Sequence, residues 1–289
     1  MNGGSGDDTI SLTGEGEGVG GGGLSPGGTG TGKGYGLLRG RIEAGSGNNT
    51  LTITGSGTGS GYDGGTGSGY GISDGVINSG SGEDEITITG IGEAADAFGN
   101  SVAVGYGIFQ GAVDAGGGND TLTITGKGVA DADSGSGSGI GYGVSNGSVS
   151  GGGGDNIITI TGEGSSGGYG VHQGTVHGGD GNDIIKISGT TLAIDDALIT
   201  GGSGADYFHI GIGNGTIDGG DGEDRINLDF FDNATMEIMA IERGIRISGS
   251  EDALGNTRPW TQKIVNVEHF EIGTQVYSVE QLLDSYSVV

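Results

Sequence analysis

Residues 178 to 186 read GGDGNDIIK, and the same nine-residue frame returns from one end of the chain to the other. Its pattern is G-G-x-G-x-D-x-U-x with U apolar: glycines that let the backbone turn tightly, one carboxylate, and one apolar residue of a short strand. Eight copies or near-copies occur: GGSGDDTIS (3–11), AGSGNNTLT (44–52), SGSGEDEIT (79–87), AGGGNDTLT (115–123), GGGGDNIIT (151–159), GGDGNDIIK, GGSGADYFH (201–209) and GGDGEDRIN (219–227). A frame repeated this often specifies a stack of similar units, each burying its apolar residues against its neighbours.

The sixth frame positions are Asp8, Asn49, Asp84, Asp120, Asn156, Asp183, Asp206 and Asp224, separated by 41, 35, 36, 36, 27, 23 and 18 residues. A second marker locates the shrinkage. Tyr35, Tyr70, Tyr106, Tyr142 and Tyr169, each within Gly-Tyr-Gly, stand 14 residues before the next sixth position, and Leu192 and Ile210 hold that place before Asp206 and Asp224. The lost residues therefore lie between the strand after the frame and the next Tyr position. That strand, TLTITG at 121–126, alternates with period two, which predicts Leu122 and Ile124 facing inward. Gly126 and Gly128 share the parity of Ile124, whereas Gly135, Gly137, Gly139 and Gly141 take the opposite parity from Tyr142. This pattern predicts an outgoing strand, a turn and a returning strand, with inward glycines on one arm making room for an inward Tyr142 on the other. The 18-residue minimum fits two nine-residue half-turns per coil, only one of which carries the acid. A solenoid with wide N-terminal and narrow C-terminal coils follows; a 36-residue repeat made of two coils, one lacking the frame, is the alternative.

Glycine makes up 75 of 289 residues, and a net charge of −27 adds self-repulsion that opposes compaction. Divalent cations answer both, since they neutralise clustered carboxylates and bind only the folded arrangement. The acidic balance argues against nucleic acid and anionic membranes as partners. There is no cysteine for disulfides, and no run of about 18 apolar residues for a membrane span. No signal peptide precedes the first frame, so the chain reads as part of a longer protein.

The repeated frame resembles the RTX family, the hemolysin-type calcium-binding repeat proteins exported by type I secretion, over roughly residues 3 to 228. The resemblance implies an all-β fold, a right-handed parallel β-roll or β-solenoid, with Ca2+ held between the glycine-rich turns of successive coils. It also implies an extracellular location and the type I secretion machinery as a partner during export. In the family pattern one frame gives carbonyls from its first and third positions, the next gives them from its second and fourth, and both sixth positions give carboxylates. Carried onto this chain, the metal-site residues are Gly3, Ser5, Gly6, Asp8, Asn49, Asp84, Asp120 and Asn156, then Gly178, Gly179, Asp180, Gly181, Asp183, Gly201, Gly202, Ser203, Gly204, Asp206, Gly219, Gly220, Asp221, Gly222 and Asp224. The last three frames are complete. Asn49 and Asn156 lose a charge, and Ala44, Ser79 and Ala115 replace the first Gly while keeping its carbonyl.

Residues 229–289 have ordinary composition, with Phe230, Phe231 and the only Trp, Trp260. They read as a small cap over the last coil and, by the resemblance, as the uncleaved secretion-signal region. Ser278 to Gln281 has capping-box spacing, which predicts a short helix over 279–284. The outward residues Ser11/Thr13, Thr52/Thr54, Thr87/Thr89, Thr123/Thr125 and Thr159/Thr161, then Lys186/Ser188, would form a double file if coils stack in register. Such files resemble the ice-binding face of some solenoid antifreeze proteins; solvent-facing strand propensity is the plainer explanation. Lys33, in TGTGKG, lacks the hydroxyl residue that phosphate binding needs after the lysine. Tyr169, His172 and His177 resemble the Tyr/His set of alginate epimerases, but Tyr169 belongs to the repeated series. Asp131 and Asp133 suggest a further calcium site at a loop tip, or a solvated turn. The expected role is that of a calcium-binding, calcium-dependent folding module of a secreted protein. It is structural or adhesive rather than catalytic, with an extracellular surface or polysaccharide as a further partner, and an accessory role beside an epimerase or lyase as a second alternative.

Overall fold

The computed structural model describes residues 1–21, 28–96, 101–132, 137–230, 236–251 and 257–286. Successive coils stack in parallel to form two facing sheets, the fold of an all-β solenoid. One sheet is built on the strands that follow each frame: Thr9–Val19, Thr50–Gly61, Glu85–Asp96, Thr121–Ala132, Ile157–Gly164, Ile184–Gly189, Tyr207–Ile210 and Arg225–Asn227. Their register puts Thr50 opposite Glu85, Glu85 opposite Thr121, and Thr121 opposite Ile157. Each long repeat is thus one wide coil, not two. Later coils narrow as their strands shorten, down to the three residues Arg225–Asn227.

The returning sheet has two limbs. Gly30–Leu38, Gly65–Ser73, Val102–Phe109, Ser138–Ser145 and Gly167–His172 form one; Arg41–Ser46, Val76–Asn78, Ala112–Asp114, Ser148–Gly153 and Thr175–Asp180 lie in the other. Between them the chain turns a corner at Arg39, Asp74, Gln110, Asn146 and Gln173, all with φ between 49° and 53°. Both limbs converge on Leu192–Ser203, where the corner survives only as a bulge at Asp196. Here the constant 14-residue spacing ends. Ile210 lies opposite Ile187 on the first sheet and not at the Tyr position: Gly213–Asp221 pairs with Leu192–Ser203 on both sides of the bulge but has no counterpart of Asp196, which moves the register by one residue.

Two kinds of interior follow from the sequence. Near the frames, Leu51, Ile53, Ile86, Ile88, Leu122, Ile124, Ile158 and Ile160 pack with Ile72, Ile77, Ile108, Val144 and Val149 in one buried cluster. Farther out the inward positions of both sheets are mostly glycine, with the buried Ala94 and Ala103 among them. A Cβ placed on Gly126 would overlap the backbone of Tyr142, and one on Gly55 or Gly90 would overlap that of Tyr70 or Tyr106. The gap of about 10 Å between ordinary facing sheets has closed to backbone contact, which is the close approach that only glycine allows.

This overturns the inward tyrosine. Gly139 and Gly141 are buried while Tyr142 is partly exposed, so glycines face glycines and Tyr142 points outward. The five tyrosines stack along the outer face at ring separations of 4.8, 5.1, 5.0 and 5.2 Å. The parity change was real, but its inward face was the glycine one: no space remains between the sheets for a ring.

Beyond the last frame, Thr257–Val265 adds in parallel to Gly213–Asp221, and Gly244–Glu251 and Met236–Ile241 continue antiparallel. His269–Ile272 adds in parallel to Arg225–Asn227. Trp260 and Phe270 are buried in this layer. The helix runs Val279–Tyr286, with Leu282 buried. Its capping box is formed: Gln281 N–H donates to Ser278 Oγ at 3.3 Å, and Ser278 N–H to Gln281 Oε1 at 2.9 Å. Among the described residues no helix is long and apolar enough to cross a membrane. Phe231 and Asp133 lie outside the described residues, and with Asp133 the loop-tip site.

Candidate metal centre

Each frame folds into the turn that joins the returning limb to the next strand, and its second and fourth glycines take the left-handed region. Gly179 and Gly181 have φ of 128° and 114°, and Gly220 and Gly222 of 106° and 147°. The turns stack at one edge of the solenoid, with Gly152 opposite Gly179, Gly179 opposite Gly202, and Gly202 opposite Gly220. Their backbones are hydrogen-bonded between coils: Gly181 N–H donates to Ser203 O and Gly204 N–H to Asp221 O, both at 2.8 Å. Asp180, Ser203, Asp221 and Ser5, the third positions, point to solvent.

The sixth positions point inward. Asn49, Asp84, Asp120, Asn156, Asp183, Asp206 and Asp224 are at most 2 % exposed. Each offers one oxygen to the backbone N–H of its counterpart in the preceding coil. Asp183 N–H donates to Asp206 Oδ1 and Asp206 N–H to Asp224 Oδ1, each at 2.8 Å; Asp84 N–H donates to Asp120 Oδ1 at 2.7 Å. The other oxygen, Oδ2, of Asp8, Asp84, Asp120, Asp183, Asp206 and Asp224 is buried and has no hydrogen-bond partner among the described residues. A buried, unsatisfied carboxylate oxygen is costly. Burial accordingly pushes the carboxyls of Asp120, Asp183, Asp206 and Asp224 up to about 6, against the lowering effect of the inter-coil hydrogen bonds.

Asparagine removes this problem locally. Asn156 Nδ2 donates to Gly154 O at 2.9 Å, and Asn49 Nδ2 to Gly47 O and Asp84 Oδ1, both at 2.9 Å. These two coils close their own turns with an amide proton. In the complete frames, Oδ2 sits where a Cβ on Gly178, Gly201 or Gly219 would be. The first-position Ala44, Ser79 and Ala115 carry real, buried side chains at the matching points.

Among the described residues no three Asp, Glu, His or Cys side chains converge as a metal cluster. A cation here would be held by two carboxylates and turn carbonyls, a set of hard oxygens that suits calcium, which takes six to eight of them. The unpartnered Oδ2 atoms and the glycine cradle of residues 178–183, 201–206 and 219–224 fit that ion best.

The fifth frame position was missed in the sequence. Asn48, Asn119, Asp155 and Asn182 form an outer ladder running opposite to the inner one: Asn182 N–H donates to Asp155 Oδ1 at 2.7 Å and Ala205 N–H to Asn182 Oδ1 at 2.8 Å. The signal was available, since Asp7, Asn48, Glu83, Asn119, Asp155, Asn182 and Glu223 are all acids or amides, with Ala205 the exception. Elsewhere, His172 bonds Asp195 at 3.0 Å and lies 5.7 Å from the Tyr169 ring, while His177 lies past the corner, bonded to Thr200. Arg258 covers Tyr169 at the end of the ring stack. Comparison of the chain with family models, curated proteins and solved structures gives no match.

Proposed function

We propose that this chain is the calcium-binding roll of an RTX-type, type I secreted protein: a non-catalytic extracellular module whose folding depends on calcium. The observation that carries the reading is the row of buried, unpartnered carboxylate oxygens on Asp84, Asp120, Asp183, Asp206 and Asp224. Calcium, when bound, supplies the positive charge that these oxygens lack. Asp183, Asp206 and Asp224, with the turn carbonyls of Gly178, Gly179, Gly181, Gly201, Gly202, Gly204, Gly219, Gly220 and Gly222, are the residues that would hold it. The right hand of the roll and the export role of residues 229–289 belong to the same proposal. Without the cation, a chain of net charge −27 repels itself and stays extended for export; outside the cell the carboxylates are neutralised and the coils close. Far-ultraviolet circular dichroism and thermal melting of the chain in calcium and in chelator test this. Equal β-content and equal melting in both would sink it.

A second reading has one observation in its favour. Thr52, Thr87, Thr123 and Thr159 are in register, as are Thr54, Thr89, Thr125 and Thr161, giving a double hydroxyl file on the outer face. An ice- or surface-binding role would use that file. Thermal hysteresis that survives replacement of Thr87, Thr123 and Thr159 by Lys would remove it.

A further inference from the structure

The row of frames does not end at Asp224 in the structure, although it does in the sequence. His269 pairs with Arg225, so the preceding residue, Glu268, stands in register with Asp224. The hydrogen bonds repeat those between true frames. Asp224 N–H donates to Glu268 Oε2 at 2.8 Å, as Asp206 N–H does to Asp224 Oδ1. His269 N–H donates to Asp224 O, as Arg225 N–H does to Asp206 O. The first position is also supplied. A Cβ on Gly178 would meet Gly201 O, one on Gly201 would meet Gly219 O, and one on Gly219 would meet Asn266 O. Asn266 makes the turn at φ 50°, and only Val267 separates it from Glu268. A five-residue step from first to sixth position has been cut to two, with the longer Glu side chain spanning what the missing glycines did.

From this we infer a ninth half-frame, Asn266-Val267-Glu268, that completes a hard divalent-cation site against the turn of residues 219–224. The inference rests on the calcium reading above and extends it to a site that the repeat pattern does not assign. Asp224 is fully buried and its Oδ2 has no partner among the described residues, so one ligand is already aimed into the position. Glu268 supplies the second carboxylate, and Gly219 and Asn266 supply carbonyls. A groove of about 560 Å³ lined by Arg243, Asn266, Glu268, His269 and Glu280 gives the ion a path from solvent. The last frame is then not left half-filled where the solenoid meets the following layer.

The test is calcium stoichiometry on the whole chain, by equilibrium dialysis, for wild type, Glu268→Gln, Glu268→Asp and Glu280→Gln. Gln keeps an acceptor for Asp224 N–H, so the fold is retained and checked by circular dichroism. The expected result is one fewer bound ion in Glu268→Gln, weaker binding of that ion in Glu268→Asp, whose shorter side chain does not span the missing residues, and wild-type binding in the groove control Glu280→Gln. Unchanged stoichiometry and affinity in Glu268→Gln overturns the ninth half-frame while leaving the other sites standing. A wild type that binds no calcium overturns both. If Glu268→Gln fails to fold, Glu268→Asp decides: weaker binding of one ion with intact β-content supports the inference, and wild-type stoichiometry and affinity contradict it.

Discussion

At the scale of single residues, the fate of one oxygen decides what each coil needs. Asp206 Oδ2 is buried without a partner, whereas Asn156 Nδ2 in the same frame position closes its own turn on Gly154 O. Asp206→Asn is therefore expected to stabilise the protein in chelator by about 2 kcal/mol, the scale of one unsatisfied buried polar group, and to destabilise it in saturating calcium. Paired thermal melts check the two signs; a shift of the same sign in both conditions contradicts the role. The pH dependence follows from the same atoms. The carboxyls of Asp120, Asp183, Asp206 and Asp224 titrate near 6 when folded, against an ordinary 3.8. A folded state with raised pKa binds more protons than the unfolded chain. Metal-free stability is then fully present below about pH 4 and lost as pH rises through 6. Calcium needs the ionised carboxylates, so the calcium-loaded protein is expected to lose stability on acidification over the same window. Denaturant melts at pH 4.5 and 7.5, with calcium and with chelator, read both slopes.

At the scale of elements, glycine has two separate jobs, and the sequence made only one of them easy to see. The frame glycines announce themselves by their fixed offsets from Asp, and their turn role was readable. Gly126 and Gly128 were assigned correctly to the inside of their strand. What faced them was not, because alternation gives the two faces of a strand without saying which one is inward when neither is clearly apolar. Backbone contact between sheets decides it, and that is a tertiary fact. The corner residues Arg39, Asp74, Gln110, Asn146 and Gln173 were also missed. Their signal was a polar residue before a glycine, four residues after each Tyr, and its left-handed φ shows only in the structure. Gly126→Ala is expected to cost at least 1–3 kcal/mol as overpacking, since its Cβ meets the Tyr142 backbone. Gly117→Ala, at a frame third position with nothing within 4 Å, is expected to stay within about 0.5 kcal/mol. Urea denaturation compares them; similar costs would contradict the backbone-contact interior. The outward tyrosine stack has its own signature. Burial, followed by the charge of Tyr142 and Tyr70, pushes the Tyr106 phenol up to about 12. The neutral ring is favoured when folded, so its contribution is present below pH 10 and lost as pH rises towards 12. Ultraviolet titration of wild type against Tyr106→Phe is expected to remove the highest-pH phenolate step; loss of a step near 10 instead would place Tyr106 in solvent.

At the scale of the whole molecule, the spacing of sixth positions was enough to expect a stack of coils whose width falls from one end to the other, and the strand register has that form. The end of the stack was not readable. Glu268 lies outside any glycine frame, and only the pairing of His269 with Arg225 brings it beside Asp224. Part of the net charge of −27 lies along one edge of the solenoid, where buried carboxylates repeat coil after coil. Calcium-edge anomalous diffraction from crystals grown in calcium tests the calcium reading most directly. Anomalous peaks are expected between the turns of residues 178–183 and 201–206, and of 201–206 and 219–224, within bonding distance of Asp183, Asp206 and Asp224 Oδ2. Well-ordered coils with those carboxylates buried and no anomalous density between the turns would contradict it.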